Sequence, residues 1–430
     1  MVGTLRMEDS GSSRKPRVLI VTEMYPYRGS DDAFLPAEVE VLASSFEITV
    51  CPVATSPHEI VRLPPGVILE RGLAIAHKDR LILLKGLFRA LFSVDTHREI
   101  FRQTPKSLSP RAFATVVTRM ARALLVERWV TDNVLANDRL APEIIYSWWS
   151  ASAAYGLTRA LASSEIPFVT RAHGYDLFAQ QESVGFVPFQ RQIIERADVV
   201  YSVSHAGAAY LRSAYPDLAE KISTAYLGIN EPNHLGRSST DGMSRIVSCA
   251  SVVPVKRVDL LAEALNLLAT AAPVFDFHWT HIGAGPLAEE LAARVESLGN
   301  LRGRVTFLGY LQPEDVRRWY SGHPIDLIVN VSESEGLPVS LMEAASFGIP
   351  MLATAVGGTP EIVRDGAGIL IPVDSTPQQV AEAIAGYIRL DPADKDTMRA
   401  ASRARFESDF RADTNYGAFA GLLSEMAHAS

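Results

Sequence analysis

Cysteine is almost absent from this chain of 430 residues, which contains only Cys51 and Cys249. The two cysteines lie far apart and lack the short spacing at which cysteines bind a metal ion. This scarcity excludes a disulfide framework and a cysteine-based metal centre from the prediction. A reduced, cytoplasmic setting follows most simply.

Basic excess and long apolar runs are also lacking. Lys and Arg number 41 against 49 Asp and Glu, a formal net charge of −8, which argues against nucleic acid as the main partner. No apolar run reaches the roughly 18 residues that span a bilayer. The first residues are polar and rich in Ser and Gly, so we predict no signal peptide and a disordered tail over residues 1–15.

What is present is the composition of a soluble globular protein, with 47% apolar and 21% charged residues. A chain of this length has room for two domains, each with its own core. Residues 17–22 form an apolar, β-branched run, and a Gly/Pro loop and a helical pattern follow it. A strand, loop and helix in this order predict a doubly wound α/β domain.

The most informative stretch is residues 324–363, PIDLIVNVSESEGLPVSLMEAASFGIPMLATAVGGTPEIV. It predicts a buried strand over 326–331, a helix over 337–347 and a second strand over 351–355. Glu335 precedes the helix, and Glu343 lies about two helical turns further on, at most roughly 12 Å along the axis. The pair suits two ends of one elongated ligand. The plain alternative is one helix-start charge and one solvated helix residue.

The run E-G-L-P-V-S-L-M-E-A from Glu335, followed by G-I-P and A-V-G-G-T-P-E-I-V, resembles the signature of the family 4 glycosyltransferases. These are retaining enzymes that use a nucleotide-sugar donor. The resemblance implies the GT-B fold, with two Rossmann-like doubly wound domains facing across a cleft and a C-terminal helix that crosses back to the first domain. It implies an acceptor-binding domain over 16–235, a linker over 236–244, a donor-binding domain over 245–405 and the returning helix over 406–430.

The same resemblance assigns roles within the signature. Glu335 would hold hydroxyls of the donor sugar, and Glu343 would hold the ribose of the nucleotide. The backbone amides near Gly336 and Leu337 would lie close to the sugar and the phosphates. The positive end of the helix would favour the phosphates.

A second donor-binding segment begins the second domain. Where the family usually has Gly-Arg-Leu and then Lys-Gly, this chain has Ser251 in place of the Arg and Arg257 in place of the last Gly. Lys256 carries over, and we expect Arg257 to supply the missing guanidinium to the diphosphate. The alternative is two solvated charges at a helix start. The turn with Gly283 and Gly285 would line the nucleotide pocket, although many strand-to-helix turns look alike.

The acceptor side rests on the first domain. The run from His173 through Gly174 to Asp176 matches the family's H-G-x-D placement, where the histidine lies beside the reacting sugar and the acceptor. Gly174 would let the main chain approach closely. Gly29, in the loop after the first strand, is a candidate for contact with the ligand. A structural histidine and a plain turn glycine are the alternatives.

Residues 78–128 carry 11 Lys and Arg against 4 Asp and Glu, an excess of +7 (11 − 4) in an acidic protein. The run over 81–92 is apolar at helical spacing, with Lys85 and Arg89 interrupting it. Such a helix can lie on an anionic membrane surface. The alternative is a core helix with solvated basic residues.

The predicted reaction is transfer of a sugar from a UDP- or GDP-sugar to a hydroxyl of a glycan or lipid-linked acceptor, with retained configuration. No Asp-x-Asp motif stands at a strand end, so we expect no essential metal and no cofactor. The chain looks closest to bacterial enzymes of polysaccharide or glycoconjugate synthesis, peripheral on the inner face of the cell membrane. Alternatives are a nucleotide-sugar 2-epimerase of the same fold and a non-catalytic nucleotide-sugar-binding protein.

Overall fold

The structure is a computed structural model that describes residues 14–28, 34–56, 60–104, 109–137, 141–270 and 276–429. Gly29 and residues 1–13 of the predicted tail lie outside the described residues.

Seven parallel strands form the first sheet, in the order β3-β2-β1-β4-β5-β6-β7. Most are short apolar, β-branched runs, which suits strands buried on both faces. Strands β2 and β3 are added on one side of β1, and β4 to β7 on the other, so the strand order switches between β1 and β4. Doubly wound sheets bind ligands at this switch point. The strands are β1 Arg17–Thr22, β2 Glu47–Pro52, β3 Ile68–Leu69, β4 Ile144–Ser147, β5 Phe168–Ala172, β6 Val199–Ser202 and β7 Ile222–Thr224.

Six parallel strands form the second sheet, in the order β10-β9-β8-β11-β12-β13, and its switch point lies between β8 and β11. The predicted strand over 326–331 is present as β11. The following helix begins directly after Pro338, two residues later than predicted, and ends one residue earlier. The strands are β8 Ser244–Cys249, β9 Phe277–Ile282, β10 Val305–Phe307, β11 Leu327–Asn330, β12 Met351–Thr354 and β13 Gly368–Ile371.

Helices cover both sheets, which completes two Rossmann-like units and confirms the predicted α/β class. Those before β8 are α1 Leu35–Leu42, α2 Gly72–Lys78, α3 Arg80–Leu91, α4 Val94–Arg102, α5 Pro110–Val130, α6 Ser152–Ala160, α7 Gln190–Arg196 and α8 His205–Ala214. Those after β8 are α9 Val258–Thr270, α10 Ala288–Ser297, α11 Pro313–Gly322, α12 Val339–Ser346, α13 Thr359–Ile362, α14 Pro377–Arg389, α15 Pro392–Asp409 and α16 Ala412–His428.

The last helix, α16, returns to the first sheet, as predicted. The ring of Phe419 lies 5.2 Å from that of Tyr146 on β4 and 5.3 Å from that of Tyr201 on β6. The Tyr416 hydroxyl donates to the carbonyl of Gly228 at 3.1 Å. We call the first sheet with its helices and α16 the first lobe, and the second sheet with its helices the second lobe.

The two lobes touch through loops at the carboxyl ends of their strands. Gln181 of the first lobe donates from Nε2 to Ser334 Oγ at 2.8 Å. Glu361 of the second lobe accepts from the amides of His205 and Ala206 at 2.9 and 2.8 Å, at the start of α8. A carboxylate there matches the positive end of the helix dipole, so it favours the closed arrangement of the lobes.

Candidate functional site

A cavity of about 430 Å³ opens between the lobes, against the ends of β8, β9 and β11. Its lining includes Ser251, Lys256, Gly283, Glu335, Leu337 and Glu343. Phe34 extends the lining on the side of the first lobe. Residues that are distant in the sequence therefore meet at the switch point of the second sheet, where ligands of such sheets bind.

Glu335 and Lys256 form an ion pair at this cavity. The Lys256 ammonium lies 2.6 and 2.7 Å from the two oxygens of Glu335, and Asn330 Nδ2 donates to the first of these oxygens at 3.1 Å. Glu335 is only 7% exposed, so its charge needs these partners. The carboxylate is thereby held in one orientation, ready to accept hydrogen bonds from hydroxyls.

Asn330 is a residue of the candidate site that the sequence analysis did not select, although its position at the end of a predicted strand is recognisable. It is the last residue of β11, and its Oδ1 also accepts from the amide of Ser332 at 3.0 Å. The amide side chain thus shapes the loop that carries Glu335. A polar residue closing a buried strand just before the signature is the signal that could have identified it.

Glu343 projects from α12 into the same cavity and is 6% exposed. Its Oε1 lies 3.5 Å from a guanidinium nitrogen of Arg317 on α11. Burial raises the pKa of Glu343 to about 7, although Arg317 acts in the opposite direction. Arg317 gave no signal in the sequence, because only the packing of α11 beside α12 brings the two groups together.

The Arg257 side chain, which the sequence predicts to contact a diphosphate, is hydrogen-bonded to backbone carbonyls in this structure. It donates from Nε to the carbonyl of Val331 at 2.7 Å and from a terminal nitrogen to the carbonyl of Val373 at 2.6 Å. It is absent from the lining of the cavity. Its backbone has φ 47°, the left-handed conformation that explains why glycine is usual here. The guanidinium fastens strand-end loops and leaves Lys256 as the cation of this segment at the cavity.

The two predicted glycines of the β9 turn are packed too tightly for any side chain. A Cβ on Gly283, at φ 150°, would lie 1.8 Å from the carbonyl oxygen of Ala250, and one on Gly285 would lie 2.4 Å from that of Val252. Gly283 lines the cavity, whereas Gly285 is not among the lining residues. Their shared role is to let the β8 and β9 loops meet.

His173 directly follows β5, and its ring packs against the rings of two tryptophans. The ring centroids are 4.8 Å from Trp148 and 4.4 Å from Trp149. Its backbone carbonyl faces Gly336, where an added Cβ would lie 1.6 Å away from the carbonyl oxygen. The structure therefore places the main chain of His173 directly against the loop that carries Glu335.

Asp176, which the sequence predicts to bind the acceptor, holds the His173 loop together in this structure. One carboxylate oxygen accepts from the amides of His173 and Gly174 at 2.8 and 3.0 Å, and the other accepts from the amide of Ser150 at 2.9 Å. Asp176 is 1% exposed, and these hydrogen bonds together with His173 keep its pKa below the usual value despite burial. Gly174 leaves room for the Gln181 side chain, which would lie 2.7 Å from an added Cβ.

The basic segment forms α3, α4 and α5, and α3 is not a core helix. Only Ala90 of α3 is buried, whereas Leu81, Leu84 and Phe88 are 67%, 61% and 65% exposed. Phe92, which directly follows α3, is 71% exposed, and Phe101 on α4 is 83% exposed. We call these residues, together with Lys85 and Arg89, the basic apolar face.

The described residues contain neither a membrane-spanning helix nor a cluster of metal ligands. No helix in that part of the chain is long and apolar enough to cross a membrane. No group of three or more His, Cys, Asp or Glu side chains in those residues is arranged to hold a metal ion.

Two protein-family models match the chain. Residues 92–231 match the model described as Glycosyltransferase Family 4, and residues 244–389 match the one described as Glycosyl transferases group 1. The matches fall on the first and second lobes respectively.

Curated relatives are similar over part of their length. The amylovoran biosynthesis glycosyltransferase AmsK of Erwinia amylovora is 28% identical over 219 residues, covering 49% of this chain and 52% of that protein. The N-acetyl-alpha-D-glucosaminyl L-malate synthase of Bacillus anthracis is 29% identical over 241 residues, covering 53% and 60%. The chain thus matches little more than half the length of these relatives.

Solved structures share the architecture of the whole chain. Anabaena Alr3699/HepE in complex with UDP and glucose has a TM-score of 0.63 at 18% identity, covering 95% of this chain and 99% of that one. At 18% identity, the similarity to this structure shows the fold alone. With both lobes matched by glycosyltransferase models and the two-sheet architecture shared throughout, the chain belongs to the family 4 glycosyltransferases of the GT-B fold.

Proposed function

We propose that this protein transfers a sugar from a UDP- or GDP-sugar to a hydroxyl of a glycan or lipid-linked acceptor. The observation that carries the proposal is the placement of two buried carboxylates, Glu335 and Glu343, in one cavity between the lobes, with Lys256 bound to the first. Residues 245–405 would hold the donor and residues 16–235 the acceptor.

The relatives support this choice. The AmsK protein is named for amylovoran biosynthesis, and the HepE structure contains UDP and glucose. Both names fit a chain that builds a bacterial polysaccharide or glycoconjugate from a nucleotide sugar.

The groups in the cavity suit the parts of such a donor. Glu335 accepts hydrogen bonds from the sugar, and Glu343, when ionised, accepts them from the ribose. Lys256 has three N–H donors, so it can hold a phosphate oxygen while it keeps Glu335 in place. The start of α12 adds partial positive charge beside the leaving diphosphate.

We further propose that the reaction retains the anomeric configuration without a carboxylate nucleophile and without an essential metal. The acceptor oxygen forms its bond to the anomeric carbon on the face from which the diphosphate oxygen departs, and that phosphate takes the acceptor's proton. Supporting this, Glu335 is bound by Lys256 and Asn330, and Asp176 is occupied by backbone amides. Lys256 supplies the positive charge that the leaving group needs.

We also propose a cytoplasmic protein held peripherally on an anionic membrane. The basic apolar face combines exposed Leu and Phe side chains with Lys85 and Arg89. Apolar insertion and attraction to anionic lipids act together in such contacts. Substituting Lys85 and Arg89 by Gln should reduce co-sedimentation with anionic vesicles and leave nucleotide binding unchanged.

The test of the reaction is incubation with radiolabelled UDP- and GDP-sugars and a bacterial lipid extract, in the presence of EDTA. A labelled glycolipid with retained linkage is the expected product. Conversion of the donor without acceptor would indicate an epimerase, and binding without any change would indicate a non-catalytic protein; either result overturns the proposal. Loss of product on EDTA treatment would overturn the metal-independent part alone.

A further inference from the structure

A second cavity lies on the first lobe, away from the site between the lobes. It is an open groove of about 710 Å³ between α3 and the second half of α5. This size is typical of pockets for small molecules. Ile82, Leu84 and Phe88 form one wall, and Leu124, Leu125 and Trp129 form the floor.

The groove combines an apolar interior with cations at its rim. Lys85 and Arg89 line it from α3, and in the part of the chain that the structure describes neither forms an ion pair. Arg128, also at the rim, is 3.4 Å from Asp132 and so is already paired. Among the described residues, Lys85 and Arg89 are therefore available to an anion next to the apolar interior.

The local backbone supports a binding role. The α5 helix ends in a π-helical turn, Thr131–Leu135, which brings Asp132 and Asn133 to the rim. Turns of this kind frequently occur at functional sites. The neighbouring Phe88 and Phe92 rings, 5.0 Å apart, extend the apolar surface beyond the groove.

We propose that this groove binds the hydrocarbon chain of a phosphate-bearing lipid, with the phosphate beside Lys85 and Arg89. The apolar floor and walls match the hydrocarbon chain. Lys85 and Arg89, which form no ion pair with any described residue, match the phosphate head group. The inference deepens the lipid contact of the proposed function, because it gives one lipid molecule a defined site on the lobe that would hold the acceptor.

The test uses alkyl phosphates from decyl to tetradecyl below their micelle-forming concentrations, titrated into the full chain by calorimetry. Each added methylene should tighten Kd about fourfold until the groove is filled. An alkyl maltoside of equal length should bind about fivefold more weakly than the phosphate, and inorganic phosphate alone should bind negligibly. Equal Kd values along the chain-length series would overturn the proposal.

Variants separate the groove from a general membrane face. Ala76→Trp fills the groove. Leu84→Glu places a charge on the wall, and because Leu84 is 61% exposed, we expect this variant to fold. Both should weaken dodecyl phosphate binding more than tenfold, whereas Ala214→Trp at the exposed end of α8 should not. Substituting Lys85 and Arg89 by Gln should abolish the preference for phosphate over maltoside and keep the dependence on chain length.

The outcome is distinguishable from failure of the glycosyltransferase proposal. Nucleotide binding at the cavity between the lobes is measured on the same samples and should be equal in all these variants. Binding to anionic vesicles without binding of monomeric alkyl phosphate would overturn the proposed lipid site in the groove, and the proposed membrane contact would still hold.

Discussion

The ion pair of the buried Glu335 with the half-buried Lys256 is the residue-scale feature on which the proposed chemistry depends. Glu335→Ala removes the acceptor for the sugar hydroxyls and frees the Lys256 ammonium for the diphosphate. We therefore expect sugar transfer to fall by about 10²–10³-fold, with nucleotide affinity changed only a few-fold. Single-turnover kinetics and calorimetry with UDP and GDP measure the two effects separately.

The matched control is Glu333→Ala, which removes an exposed carboxylate from the same loop. It should transfer sugar at the rate of the unmodified protein. Unchanged turnover in Glu335→Ala would remove this carboxylate from the mechanism.

The raised pKa of Glu343 predicts a dependence of stability on pH. Its carboxyl group has a pKa of about 7 when folded and an ordinary value of 4.5, so between these values the folded state binds more protons. The stability linked to the protonated group is present below pH 4.5 and is lost as the pH rises through about 7. Above that pH, Glu343→Gln should be more stable than the unmodified protein by up to about 3 kcal/mol.

Denaturant titrations at several pH values measure this difference, and Glu289→Gln, on the exposed face of α10, is the control that should show none. Nucleotide affinity should rise over the same range because the ionised carboxylate accepts both ribose hydroxyls. A stability difference for Glu343→Gln that is constant with pH would contradict the assignment.

At the scale of elements, the turn that joins β8 to α9 owes its position to Arg257. The short 3₁₀ turn Pro254–Lys256 is followed by the left-handed Arg257, whose side chain reaches carbonyls at the end of β11 and after β13. Arg257→Ala should therefore destabilise the protein by about 2 kcal/mol and leave nucleotide Kd nearly unchanged. Thermal denaturation and calorimetry measure the two quantities.

Arg257→Gly is the informative comparison, because glycine adopts φ 47° without strain and should recover part of the lost stability. Normal stability with markedly weaker nucleotide binding in Arg257→Ala would instead favour the phosphate role that the sequence suggested.

At the scale of the whole molecule, closure of the two lobes depends on the absence of a side chain at Gly336. A Cβ there would lie 1.6 Å from the His173 carbonyl oxygen, so Gly336→Ala should hold the lobes apart. We expect nucleotide binding to persist on the second lobe while transfer to the acceptor is lost, because water exclusion and acceptor alignment need the closed form.

Small-angle scattering should show a larger radius of gyration for Gly336→Ala than for the unmodified protein. Gly386→Ala, on α14 with no heavy atom within 4 Å of an added Cβ, is the control and should leave the radius unchanged. A compact Gly336→Ala variant with full activity would show that this contact does not govern closure.

The sequence by itself determined the doubly wound architecture and the family. Buried parallel strands such as β1, β8 and β11 are continuous apolar runs, and α12 follows its strand with a dense signature, so local composition was sufficient. Short edge strands such as β3, with two residues, carry no such pattern and gave no prediction. The sequence also singled out Glu335, Lys256 and Glu343, which the fold brings to one cavity.

Only the tertiary structure decided how those residues are paired. Packing between elements brings Asn330 to Glu335, Arg317 to Glu343, and the backbone amides of the His173 loop to Asp176. The direction of the Arg257 side chain follows from the loops around it. The tertiary structure also decided the environment of α3. From the sequence, its apolar residues fit either a core or a surface, and the fold leaves most of them on the surface. Periodicity fixes which face of an element is apolar, whereas the position of its neighbours fixes what that face meets.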